Sequence, residues 1–268
     1  MSKTTFPAEQ GTIHFTVQGE GIPVVLVHGL GSSLHEWDWV IPALSQAGYR
    51  VYACDLPGHG DSYKPAKRIE YNIETMYQET VDWINSLQLE APFFLAGHSL
   101  GGYLSLELAL QYPSRLRGLV LVDPFYGLEQ VPRILWYLPG LFPIGQKIMH
   151  ATPEKLLLFG MQFRFIPSSC LSLDRRQQQA IDARAANPNV AYLIHSIPSL
   201  LPQVSQIQLP VLVVWGSQDR SCKPQSFPLL VAKLPHAQEF CASGCGHHPH
   251  LQKPDEVNQK ILTFFATS

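Results

Sequence analysis

Short apolar runs rich in β-branched residues alternate along the chain with longer amphipathic stretches, the pattern of a mostly parallel sheet covered by helices. Residues 24–28, 50–54, 93–97, 118–123 and 211–216 read as buried parallel strands, and 239–242 as a weaker one. Residues 12–18 alternate through Ile13, Phe15 and Val17, which predicts an antiparallel edge strand with one wet face. Helices are predicted over 36–47, 73–87, 100–112, 225–233 and 255–265. The last follows Pro254 and carries Asp255 and Glu256 in its first turn, where negative charge suits the helix dipole.

One stretch breaks the alternation. Between Pro124 and Gln206 no strand is evident, prolines are frequent and apolar residues dense. About 80 residues is too long for a loop in a compact domain, so a helical insertion after the sixth strand is expected. The reading is therefore α/β: about eight strands with helices on both faces, a core of residues 1–123 and 207–268, and an inserted layer of 124–206.

Composition narrows the function classes. Of 268 residues, 46% are hydrophobic and 15% charged, which excludes a disordered, solvating chain. A net charge of −2, from 19 basic and 21 acidic residues without a basic stripe, gives nucleic acid no electrostatic handle. The first residues lack the apolar stretch of a secretory signal, and no run has the ~18 apolar residues of a membrane-spanning helix. Five cysteines, an odd number, read as reduced thiols, so a cytoplasmic protein is expected. Nothing in the pattern fixes an oligomeric state.

The strongest chemical signal is Gly97-His98-Ser99-Leu100-Gly101 between a strand and a helix. A sharp strand–turn–helix exposes a serine hydroxyl at its tip, and glycines two residues to either side let strand and helix cross closely. A second signal, Val27-His28-Gly29-Leu30-Gly31, ends a strand in a turn whose N–H groups can reach the same sheet edge. Leu30 and Leu100 are the candidate oxyanion donors, through their backbone N–H groups. Gly29-x-Gly31 also imitates a dinucleotide fingerprint, but Leu34 stands where the third glycine is required. A third signal pairs Asp219, in the loop after the 211–216 strand, with the imidazoles of Gly246-His247-His248 before the last helix. Serine needs an adjacent base, and that base needs a carboxylate to fix its tautomer.

Taken with Asp55-Leu56-Pro57-Gly58-His59-Gly60-Asp61-Ser62, these motifs make the chain resemble the α/β-hydrolase superfamily over nearly its whole length. The resemblance implies Ser99 as nucleophile, His247 as base and Asp219 as acid. His248 is the substitute base, and Asp123 is the other position at which that superfamily carries its acid. It makes 124–206 a cap, with His28, His98, Phe125 and Trp136 expected to face the substrate. The leading expectation is hydrolysis of small-to-medium apolar carboxylic esters through an acyl-enzyme, without cofactor or metal. A C–C bond hydrolase of ring-cleavage diketones and a ligand-binding receptor with a slow triad are the alternatives. Haloalkane dehalogenases and epoxide hydrolases carry aspartate where Ser99 stands, which removes them from the list. Cys241, Cys245, His247, His248 and His250 look like metal donors, but their spacing is loose for zinc. Asp55 and His59 are expected to brace their own loop.

Overall fold

The computed structural model describes residues 2–8, 11–89, 92–131, 148, 151–153, 155–156 and 171–268. An eight-stranded sheet runs in the order β1-β2-β4-β3-β5-β6-β7-β8. Its strands are β1 (Ser2–Ala8), β2 (Gly11–Gln18), β3 (Ile22–Val27), β4 (Tyr49–Cys54), β5 (Phe93–His98), β6 (Leu116–Val122), β7 (Val211–Gly216) and β8 (Ala237–Ala242). β1 and β2 are antiparallel, β2 pairs antiparallel with β4, and β3 to β8 are parallel throughout.

Strand residues alternate between two cores. Val25, Val27, Leu95 and Leu121 face helices α2 (Ile73–Ser86) and α3 (Leu100–Gln111), where Trp83 and Leu104 meet them. Val24, Leu26, Phe94 and Val120 face α1 (Ile41–Gln46) and the final helix (Pro254–Thr267), where Phe94 stacks on Phe265 at 3.9 Å. Each such side chain contributes about 1.5–3 kcal/mol on burial, so strands apolar on both faces can only be central.

Two expectations change. The helix expected over 36–47 is split into a 3₁₀ turn, Leu34–Trp37, and the short α1. Pro42 sits in the first turn of α1, and its missing N–H and ring keep a helix from running through from Glu36. β1 is an additional strand, and it takes the edge expected of β2, which is instead paired on both sides and buries His14 and Thr16 as well as Ile13 and Phe15. β1 is polar and contains Pro7, which an edge position tolerates, and it aligns Phe6 with Ile13 of β2.

The insertion follows β6. Its described parts are helical, chiefly α4 (Leu173–Ala185) and the 3₁₀ segment Pro188–Ser196. It lands on loops at the C-terminal ends of the parallel strands: Asn187 N–H donates to Gly58 O at 2.8 Å, and the Arg175 guanidinium lies 3.9 Å over the Trp39 ring. Beyond it come α5 (Ser226–Val231), α6 (Pro249–Gln252) and α7 (Pro254–Thr267). No described helix is long and apolar enough to cross a membrane.

The tightest crossing lies at β5 and α3. A Cβ on Gly97 would stand 2.2 Å from Gly101 O, and one on Gly101 would stand 2.1 Å from Val27 O. Both obstacles are backbone of central elements. Gly101→Ala is therefore expected to destabilise the protein by about 3 kcal/mol or more, read as the shift of the urea midpoint.

Candidate active site

β5 delivers Ser99 at the sheet's C-terminal edge. Its φ of 49° and ψ of −111° place a non-glycine residue in strained backbone, a conformation costing roughly 1–3 kcal/mol. Three hydrogen bonds hold it: Ser99 N–H donates to Val122 O at 3.0 Å, and Ser99 O accepts from Tyr103 N–H at 3.1 Å and Phe125 N–H at 3.0 Å. The side chain is half-buried, not sealed. Leu100 opens α3, so its N–H is among those a helix leaves without an internal acceptor. Leu30 is half-buried in the turn after β3.

Asp219 and His247 meet through two tied loops. Gln218 N–H donates to Cys245 O at 2.8 Å and Ser217 N–H to Ala242 O at 3.1 Å, clamping the turn after β7 onto the turn after β8. His247 Nδ1 then lies 2.7 Å from Asp219 Oδ2. Asp219 Oδ1 accepts the N–H groups of Ser221 at 2.7 Å and Cys222 at 3.1 Å. Burial alone would raise the Asp219 carboxyl, but pairing with His247 and these two donors outweigh it and hold it below its usual value. With Nδ1 engaged by Asp219, Nε2 is the His247 nitrogen for which no partner is seen among the described residues. Ser99 Oγ makes no hydrogen bond to His247 in the described residues; such contacts often tighten only when substrate arrives.

Asp123 and His248 sit elsewhere in the same network. Asp123 is fully buried at a φ of 40°, and its Oδ1 accepts Gly216 N–H at 3.0 Å. Burial and then the Asp219 charge push its carboxyl well above the usual range. His248 points to Glu36, 3.5 Å away, and burial followed by the His98 charge pushes it down to about 3.

The expected substrate-facing residues divide. His28 is wholly enclosed: Nδ1 pairs with Gly29 O at 2.7 Å, Nε2 accepts Leu56 N–H at 2.9 Å, and burial lowers its pKa. His98 is also enclosed, between Glu36 Oε1 at 2.9 Å and His247 O at 2.7 Å. Both rings serve the protein interior, because their nitrogens are taken by internal partners. Phe125 is buried against Tyr103, 6.4 Å between ring centroids, and Trp136 lies outside the described residues. Asp55 braces its loop as expected, accepting from Leu34 N–H at 2.7 Å and Asp61 N–H at 2.9 Å. The residue that sequence reasoning missed is Glu36, fully buried though it had read as part of an amphipathic helix. Its place between Leu34 and Trp37, just after the His-Gly turn, was the available signal.

Comparison with known proteins agrees with this architecture. The sequence profile of the alpha/beta hydrolase fold matches residues 22–254. The chain is 40% identical to bifunctional epoxide hydrolase 2 of Sus scrofa over 95% of its length, and spans 53% of that protein, about half. It is 24% identical to lipase 1 of Psychrobacter immobilis, covering 91% of this chain and 77% of that one. A thermophilic esterase from Thermogutta terrifontis superposes with a TM-score of 0.82 at 23% identity, covering 100% and 99% of the two chains. The chain belongs to the alpha/beta hydrolase fold family.

Proposed function

We propose that the protein is a serine hydrolase of carboxylic esters with small-to-medium, fairly apolar acyl or alcohol parts. The observation that carries this reading is a half-buried serine on a strained elbow, at the sheet edge where His247 Nδ1 is held 2.7 Å from Asp219 Oδ2. His247 Nε2 removes the Ser99 proton as Oγ attacks the ester carbonyl. The tetrahedral oxyanion takes hydrogen bonds from the Leu30 and Leu100 N–H groups. His247 then protonates the leaving alcohol, and water, deprotonated by the same base, releases the acid from the acyl-enzyme. No cofactor enters this scheme.

The chemistry of Ser99 also separates this reading from epoxide opening. A serine alkoxide attacking an epoxide carbon yields an ether, which has no carbonyl for water to add to, so the enzyme would stall after one turnover. Attack on an ester gives an acyl-enzyme that turns over. The 124–206 insertion forms the roof of the site in this proposal, consistent with its landing on Gly58 and Trp39. Phe125, beside the nucleophile, supplies apolar surface under that roof.

The test is a p-nitrophenyl ester series from acetate to palmitate. Turnover above about one per second at one chain length is expected, in the ordinary range for enzymes. A folded protein that hydrolyses none of the series above background would overturn the ester assignment.

A further inference from the structure

Next to the nucleophile in the chain lies a buried cluster of titratable groups. His98 Nδ1 forms an ion pair with Glu36 Oε1 at 2.9 Å, and the two side chains are 2% and 1% exposed. The other ring nitrogen, Nε2, lies 2.7 Å from the backbone carbonyl of His247. A carbonyl can only accept, so Nε2 carries a proton. Nδ1 faces a carboxyl oxygen at 2.9 Å, and with Glu36 held well below its ordinary value and so ionised, a lone pair there would be repelled and Nδ1 carries a proton too. Glu36 uses its second oxygen to accept Gly29 N–H at 2.9 Å. The His98 ring also presses on that turn, since a Cβ on Gly29 would stand 2.7 Å from His98 Nδ1. One ring thus touches the turn after β3, belongs to the elbow strand β5, and holds the loop that carries His247.

We infer that His98 is a positioning residue for the hydrolytic reaction, a doubly protonated imidazolium that, paired with Glu36, locks the oxyanion turn and the His247 backbone to the nucleophile elbow. The role in catalysis rests on the ester-hydrolase reading above; the protonation state does not.

The surroundings concentrate the charge on this one ring. His247, His248 and His250 face it, with ring centroids at 4.8, 4.8 and 4.9 Å, and Asp219 and His28 act on it through space. Burial would lower the His98 pKa, but the Glu36 charge outweighs it and raises it. Glu36 is the mirror case: burial would raise its carboxyl, and His98 holds it well below the usual range. His250 is pushed well below its ordinary value by burial and then by the His98 charge, and stays neutral. Donor atoms of Glu36, His98 and His248 also lie within 4.8 Å of one another, a set that a metal ion could share. The 2.9 Å spacing of Nδ1 and Oε1 is shorter than the ~3.3 Å between two ligands of a tetrahedral zinc with ~2.0–2.1 Å bonds, and favours the shared proton.

The test is a nitrogen-resolved imidazole spectrum of the whole chain from pH 6 to 9. Two protonated ring nitrogens on one histidine, lost in His98→Gln, are expected at pH 6 and should persist to higher pH than on the other histidines. Resonance of His98 with an unprotonated Nδ1 already at pH 6, or loss of that proton on adding one equivalent of zinc, would overturn the assignment. In activity, His98→Ala is expected to lower kcat on the preferred ester up to about 100-fold with KM within about twofold, as small misplacements of reacting groups do. His98→Gln, which can still donate to His247 O, should recover part of that loss. Equal losses in both variants, with KM rising instead of kcat falling, would reduce His98 to packing. If neither variant folds, the wild-type spectrum still decides the protonation. Absence of ester turnover in the wild type would sink the function reading and leave the spectrum standing.

Discussion

Ser99→Ala is expected to lower kcat on the preferred p-nitrophenyl ester by about 10³-fold or more while leaving substrate binding and fold intact. The loss is confined to chemistry because of how the elbow is held. The three hydrogen bonds that fix residue 99 all use its backbone: Val122 O, Tyr103 N–H and Phe125 N–H. Alanine keeps each of them and must adopt the same φ of 49° at a similar steric cost. The melting temperature should therefore move by only a few degrees, which corresponds to roughly 1 kcal/mol in a chain of this size. Residual turnover above the uncatalysed rate is expected from the oxyanion donors alone, since the Leu30 and Leu100 N–H groups do not depend on the hydroxyl. Steady-state kinetics beside equilibrium binding of a non-hydrolysable ester analogue separates the two effects. A variant that keeps more than a tenth of wild-type kcat would remove Ser99 from the mechanism.

The same distinction between backbone and side chain explains what could be read in advance. β3, β5, β6 and β7 are apolar on both faces, so their runs stand out from any helical period, and they match the expected strands to within two residues. β1 had no such mark, because an edge strand needs only pairing along one side and a little packing, here from Phe6 and Ala8. The places of Ser99, His247 and Asp219 were legible because each follows a strand of the parallel sheet; their catalytic roles remain part of the proposal. The roles of His28 and His98 were not legible, because position beside a nucleophile or a turn says nothing about which way a ring points. In the fold both turn inward, and what turns them is Glu36, Leu56 and the backbone of His247, partners far away in sequence. Glu36 itself was hidden by its helical surroundings. A carboxylate that short-range pattern assigns to solvent is instead neutralised by a histidine 62 positions later, as the numbering of the pair shows.

Asp219→Asn and Asp123→Asn are expected to behave as opposites although the two carboxyls are near neighbours. Asp219 accepts from His247 Nδ1 at 2.7 Å and is held ionised by that pairing. An asparagine there can present its oxygen but not its charge, and can equally turn its NH₂ toward the ring and trap the wrong tautomer. A loss of roughly 10³–10⁴-fold in kcat is expected, as for other triads deprived of the carboxylate. The Asp123 carboxyl is pushed well above its usual range and its Oδ1 accepts Gly216 N–H at 3.0 Å, and asparagine reproduces that acceptor and the acid's shape. Its kcat should stay within about tenfold of wild type. Stability separates the two further. A carboxyl whose folded pKa is raised stabilises the fold below the unfolded value of about 3.9, and that contribution is lost as pH rises through the folded value. Asp123→Asn removes the titration, so its stability relative to wild type should climb between pH 4 and pH 8. Asp219 has the reverse sign: its lowered pKa adds stability that is present above about 3.9 and lost as pH falls through the folded value, so Asp219→Asn should lose ground to wild type as pH rises from about 2 to 5 and hold level above that. Denaturant midpoints of both variants from about pH 2 to pH 8, beside kcat at the pH values where the protein stays folded, test the assignment. Were the two acids to exchange roles, both the kinetic order and the slopes with pH would invert.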